Sequence, residues 1–248
     1  MKYLSLLIFT VLFLGCAPKE PSKTNISNFY FPVKALKEGM VYEYQPVGNT
    51  QQQTEYWYHK SIETDSAFYF TGTYYDEQFL VRQFFRTEVV SNGILLQDQF
   101  ITGTEDSTGI QTQIHAQINY ANAFPFEVND STGVFLMQLK WTMQEAPLVT
   151  TTLTRNRRYM GKTTYEYNGA ELPCVKFMLV EEVDNQEVGH LIKEYTGVEY
   201  YAKGIGLVYY KKQIDENFVL EYELKAMYPM SKLEEKFNAT IGYNERNE

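Results

Sequence analysis

From Met40 to Tyr228 the dominant period of hydrophobic and polar positions is two. Ile110, Thr112, Ile114, Ala116, Ile118 and Tyr120 alternate with Gln111, Gln113, His115, Gln117 and Asn119. This is the pattern of an antiparallel strand with one face buried and the other in water. Leu220, Tyr222, Leu224, Ala226 and Tyr228 alternate with Glu221, Glu223 and Lys225 in the same way. Further strand-like runs lie at 41–46, 54–60, 67–74, 79–90, 94–101, 134–143, 163–168, 174–182, 190–202 and 205–213, and helical periodicity is almost absent. About twelve strands predict an all-β fold in which one large curved antiparallel sheet closes towards a barrel or packs as a sandwich, the barrel-like form being favoured. Polar outer positions argue against a barrel whose outer wall meets lipid.

Turn chemistry supports this reading. Ser91-Asn92-Gly93 and Asn168-Gly169 are predicted hairpin turns, because Asn-Gly supplies the positive φ of a type I′ turn. Asp184-Asn185 and Asp215-Glu216-Asn217 are predicted to close two more hairpins. Asp-Ser-Thr-Gly occurs at 106–109 and again at 130–133; it lacks the spacing of an aspartic-protease motif and the oxygen count of a calcium loop, and reads as a type I turn. Ser231-Lys232-Leu233-Glu234 reads as a capping box opening a short helix to about Phe237, with a polar, frayed end beyond it.

The N-terminus sets the expected compartment. Lys2 is followed by an apolar run from Leu4 to Leu14 and then Gly15-Cys16, which is signal-peptide anatomy and too short to span a bilayer. Phe13-Leu14-Gly15-Cys16 resembles a bacterial lipobox, whose cysteine is acylated and becomes the new N-terminus; an ordinary secretory signal is the alternative. Ala17 is not the aspartate that favours inner-membrane retention, so the resemblance implies lipid anchoring in the outer membrane through Cys16. The expected organisation is a signal peptide at 1–15, a lipidated cysteine and flexible tether at 16–28, one β-domain at 29–230, and a helix and tail at 231–248.

Composition narrows the function classes. The 248 residues carry 22 basic and 31 acidic groups, a net charge of −9 that repels nucleic-acid backbones. His59, His115 and His190 show no metal-ligand spacing, and each is expected to face solvent or make a single hydrogen bond. No nucleophile motif or phosphate-cradling loop is present, so no catalytic, metal or cofactor residues are assigned. Cys174 opens a strand-like run and reads as a small buried hydrophobe. Arg155-Asn156-Arg157-Arg158 is the one basic cluster, expected to be a solvated loop, with a grip on phosphate or carboxylate as the alternative.

The aromatic residues are the most suggestive group. Tyr56-Trp57-Tyr58, Tyr74-Tyr75, Tyr200-Tyr201 and Tyr209-Tyr210 put rings on both faces of their strands, and a core explains one face only. Trp57, Tyr58, Tyr75, Tyr201 and Tyr210 are therefore candidates for ligand or partner binding, against the plainer reading that aromatic residues are good strand formers.

Phe31-Pro32-Val33-Lys34 with Gly39-Met40-Val41-Tyr42-Glu43-Tyr44, and Tyr200-Tyr201-Ala202-Lys203-Gly204-Ile205-Gly206-Leu207-Val208 near the other end, resemble motifs of uncharacterised β-rich bacterial outer-membrane lipoproteins. The resemblance implies a β-fold and an envelope location and carries no established activity. The function expected is a membrane-anchored, non-enzymatic binding or interaction module of the cell envelope, with an envelope protein as partner. The alternatives are a carrier of a lipid-like hydrophobic ligand in a half-open barrel, glycan binding on exposed rings, and a hydrolase with an unrecognised carboxylate pair.

Overall fold

A computed structural model describes residues 23–48, 51–104, 111–129 and 134–244. Cys16 and both Asp-Ser-Thr-Gly segments lie outside the described residues. The strands are β1 (Thr24–Asn25), β2 (Met40–Pro46), β3 (Glu55–Glu63), β4 (Phe68–Tyr75), β5 (Val81–Val90), β6 (Gly93–Thr104), β7 (Gln111–His115) and β8 (Gln117–Pro125). They continue with β9 (Glu127–Val128), β10 (Val134–Thr142), β11 (Thr150–Tyr167), β12 (Ala170–Gln186), β13 (His190–Ala202), β14 (Gly206–Gln213) and β15 (Val219–Tyr228), followed by helix α1 (Met230–Asn244).

Each long strand pairs antiparallel with its neighbour in sequence, β15 returns to β2, and β5 also pairs with β6. The result is a closed barrel of twelve strands with β7 as an extra strand that continues the line of β8 along β6. Closure gives each of the twelve strands a partner on both sides, and the β11–β12 hairpin runs on past β10. Outward positions such as Gln97, Lys140, Arg158 and Glu182 are polar and exposed, the composition of a wall that meets water. Among the described residues no helix is long and apolar enough to cross a membrane.

One end of the barrel is closed by the chain's own N-terminal segment. Thr24–Asn25 pairs with Glu127–Val128, Ile26 is fully buried, and Phe29, Tyr30 and Leu36 follow it into the core. The packed domain thus begins by Thr24 and not at 29 as expected, because Ile26 finds an apolar seat and the backbone beside it a strand partner. The ring of Tyr30 meets Phe70 and Phe124, and that of Phe31 meets Tyr42, His59 and Phe70. Gly204 donates its N–H to the Asn28 carbonyl. Gly206 has φ +104°, and a Cβ there would lie 2.6 Å from the Phe31 ring, so glycine is what admits the plug.

Helix α1 lies outside the barrel, where Leu233 packs on Val41 and Tyr56 and Phe237 stacks on Phe79. This seat extends the helix to Asn244, beyond the end expected near Phe237, and it starts at Met230 so that Ser231 falls within its first turn. Asn168-Gly169 takes the positive φ values of a type I′ turn. Ser91-Asn92 closes the expected two-residue hairpin between β5 and β6, but without positive φ: Gly93 already pairs with Val90 and Pro125, and a Cβ there would lie 2.6 Å from the Phe124 carbonyl oxygen, so close backbone approach is what it provides. Asp184-Asn185 lies inside β12, and the turn follows at 187–189. Bulges turn Tyr120 and Tyr228 outward, against the simple alternation of their strands.

Candidate functional site in the open half of the barrel

Strand pairing places Arg155 and Arg157 of β11, Glu181 of β12, Glu199 of β13 and Lys212 of β14 on the inner face. The basic cluster is therefore part of a strand and not a solvated loop; its two inward arginines grip the protein's own carboxylates. Arg157 donates from Nε (2.8 Å) and Nη2 (3.2 Å) to the two oxygens of Glu199, and from Nη1 to the Ala123 carbonyl (3.0 Å). Tyr201 donates to the same carboxylate at 3.2 Å. Glu181 accepts from Arg155 Nε at 2.6 Å and also pairs with Lys212. Burial alone would raise the pKa of both carboxyls, but the cations outweigh it: Glu199 is lowered and Glu181 falls to about 2. Both are held ionised and paired, a structural role and a poor one for proton donation.

His59 is buried between Phe31, Tyr42 and Phe70, and loss of water holds its pKa down at about 3. Of the two expected states, solvent exposure or a single hydrogen bond, it takes the second: its strand position points inward and it has one partner, the backbone of Thr71. His115 and His190 are exposed beside Asp98 and Asp184. Cys174 is buried as expected, and desolvation lifts its thiol to about 11.

Away from the plug the lumen changes character. Leu96, Ala116, Met137 and Leu139 form a second apolar cluster, edged by the half-buried Ile101, Ile118, Trp141 and Leu153. The facing wall carries Glu55, Trp57, Tyr74, Tyr210 and Tyr222. Trp57 stacks on Tyr74 (centroids 5.1 Å apart, 21° between planes) and Tyr210 on Tyr222 (5.2 Å, 16°). Glu55 accepts a 3.1 Å hydrogen bond from Trp57 Nε1 and has Tyr210 as a second partner. Trp57 also approaches Phe85, which joins this wall to the apolar one.

The five candidate rings do not share one surface. Trp57 and Tyr210 face the open half of the lumen, and Tyr201 faces the core, where it is buried against Phe124 and Phe177. Tyr58 and Tyr75 point outward and pack around helix α1. Sequence reasoning missed Glu55 and Tyr74, since nothing in the sequence distinguishes that carboxylate from the others.

The chain matches no described protein family and no curated protein. Two solved structures share its fold. One is a "putative lipoprotein" from Parabacteroides distasonis, with a TM-score of 0.50 and 12% identity, covering 81% of this chain and 98% of that one. The other is a "putative exported protein with YmcC-like fold" from Bacteroides fragilis, with a TM-score of 0.51 and 11% identity, covering 81% and 99%. At such identities the likeness is one of fold.

Proposed function

We propose that this chain is an outer-membrane lipoprotein anchored through Cys16, and that its barrel is a non-enzymatic binding module taking a ligand into the open half of the lumen. The observation that carries this reading is the division of the interior. Residues 26–36 fill one end with buried side chains and leave a cavity of about 610 Å³ beside Phe124 and Phe135 there, whereas the other end keeps aromatic and apolar side chains half exposed on inward positions. The descriptions of the two structural neighbours, and the motifs at 31–44 and 200–208, support the envelope assignment.

A carrier of a purely lipid-like ligand is disfavoured, because Arg155, Glu181 and Lys212 interrupt the apolar lining. The test is native mass spectrometry of protein extracted from envelope membranes, compared with an Ile118→Trp variant that fills the lumen. A small molecule released by the wild type and missing from the folded variant is expected; equal retention by both would overturn the lumen as the binding site. Loss of membrane association on Cys16→Ser tests the anchor separately.

A further inference from the structure

We propose that Glu55, together with the rings of Trp57, Tyr74, Tyr210 and Tyr222, binds an organic ammonium group. This rests on the reading that the open lumen takes a ligand, and it names the ligand's chemistry. Arg155, Arg157 and Lys212 equal Glu55, Glu181 and Glu199 in number on the inner face, but all three cations are engaged by Glu181 and Glu199. Glu181 and Glu199, the other two inward carboxylates described above, each bind an arginine. Glu55 has only neutral donors, Trp57 and Tyr210, and no Lys or Arg among the described residues forms an ion pair with it. Burial accordingly raises its pKa. A carboxylate kept where its charge is disfavoured, on the half-exposed wall of a lumen, marks a binding position.

The surroundings select the partner. Two stacked ring pairs flank the carboxylate, and the face of an indole or phenol attracts a cation within about 6 Å of its centroid. At the same end of the barrel Asp76 is neutralised by Arg82 at 2.6 Å, while Glu77 adds a negative charge that disfavours an anion. A metal ion requires several oxygen ligands, and the described residues hold no group of three side chains able to supply them. A neutral ligand would leave the Glu55 charge uncompensated. An ammonium supplies the ionic partner that Glu55 lacks and presents alkyl or polarised C–H surface to the rings, while an attached apolar body can run past Phe85 onto the Ile101–Ile118–Leu153 wall.

The purified full-length protein is titrated with choline and with 3,3-dimethyl-1-butanol, its uncharged carbon isostere, by calorimetry and tryptophan fluorescence. Saturable binding of choline is expected, with the isostere and the Glu55→Gln variant each weaker by about tenfold or more. Equal binding of the isostere, undiminished binding by folded Glu55→Gln, or no binding of either compound would overturn the proposal. Ethanolamine compared with lysophosphatidylethanolamine distinguishes a free amine from a lipid headgroup as the source of the ammonium. An environment-sensitive apolar dye separates the two readings. Dye binding that Ile118→Trp abolishes, without any ammonium response, removes the ammonium proposal and leaves the lumen; loss of both signals removes both.

Discussion

The Tyr42 hydroxyl donates a 3.0 Å hydrogen bond to the carbonyl of Ile205, 163 residues away. Tyr44 does the same to Leu207 at 2.8 Å, and Phe31 lies over Gly206. The two short motifs at opposite ends of the chain are therefore one unit: the plug, its latch and the glycine that makes room for it. Gly206→Ala forces a Cβ into the Phe31 ring at φ +104° and is expected to cost about 2–4 kcal/mol in urea unfolding. In a Phe31→Ala background the same change should cost less, because the steric part has gone, and equal costs in both backgrounds would separate the glycine from the plug.

The Arg157–Glu199 pair is buried and bidentate. Glu199→Gln or Arg157→Met alone strands the remaining charge and should cost about 3–5 kcal/mol by denaturant titration. Replacing both by apolar residues should recover much of that loss. Additive losses in the double variant would show that the pair is worth more than its desolvation.

Acid should weaken the fold in two stages. In the folded state His59 stays neutral down to about pH 3, whereas an unfolded histidine takes its proton near pH 6.5, so stability falls as pH drops through that interval. Glu181, folded at about 2 against 4.5 unfolded, adds a second loss as pH falls from about 5 towards 2. His59→Leu should flatten the upper stage of a stability-versus-pH curve and leave the lower one; an unchanged upper stage would remove the assignment.

Glu55 titrates with the opposite sign. Its raised pKa means that the folded state holds the proton longer than the unfolded state, so stability is lost as pH rises through and above the usual carboxylate range. Glu55→Gln should raise the melting temperature at pH 7, with the gain shrinking at pH 4. A residue that weakens the fold and strengthens ligand binding is the stability–function trade-off expected of a site. A lower melting temperature for Glu55→Gln at pH 7 would assign it a structural role.

Leu233 on α1 is fully buried against Val41 and Tyr56. Leu233→Ala should cost about 2–3 kcal/mol and uncover outward rings such as Tyr58 and Tyr75, seen as increased binding of an apolar dye outside the lumen. No change in stability would show that the helix contributes little to the barrel.

The strands were legible wherever an apolar inner face alternates with a polar outer one, as at Leu220, Tyr222 and Leu224 against Glu221 and Glu223. The first half of β11 was not, because Arg155 and Arg157 occupy inner positions and hide the period behind charge. The turn signal at Ser91-Asn92-Gly93 located the β5–β6 hairpin, but its glycine serves a close approach to the Phe124 carbonyl and not a positive φ. The site was half legible: Trp57 and Tyr210 stand out as aromatic residues, but only closure of the barrel brings them to Glu55. Tyr58 and Tyr75 misled because their outer face is covered by a helix whose docking no local pattern encodes.

The plug also gives the molecule a direction. Lys23 stands at the closed end, beside Glu127, whereas Glu55 and Tyr74 lie where β3 begins and β4 ends, at the other. On the lipid-anchor reading, residues 17–22 alone link Cys16 to the packed chain, and six residues reach at most about 20 Å. The closed end is then moored near its bilayer and the mouth opens away from it. Whatever enters arrives from the aqueous side or from an opposing surface, and headgroups of the mooring leaflet stay out of reach.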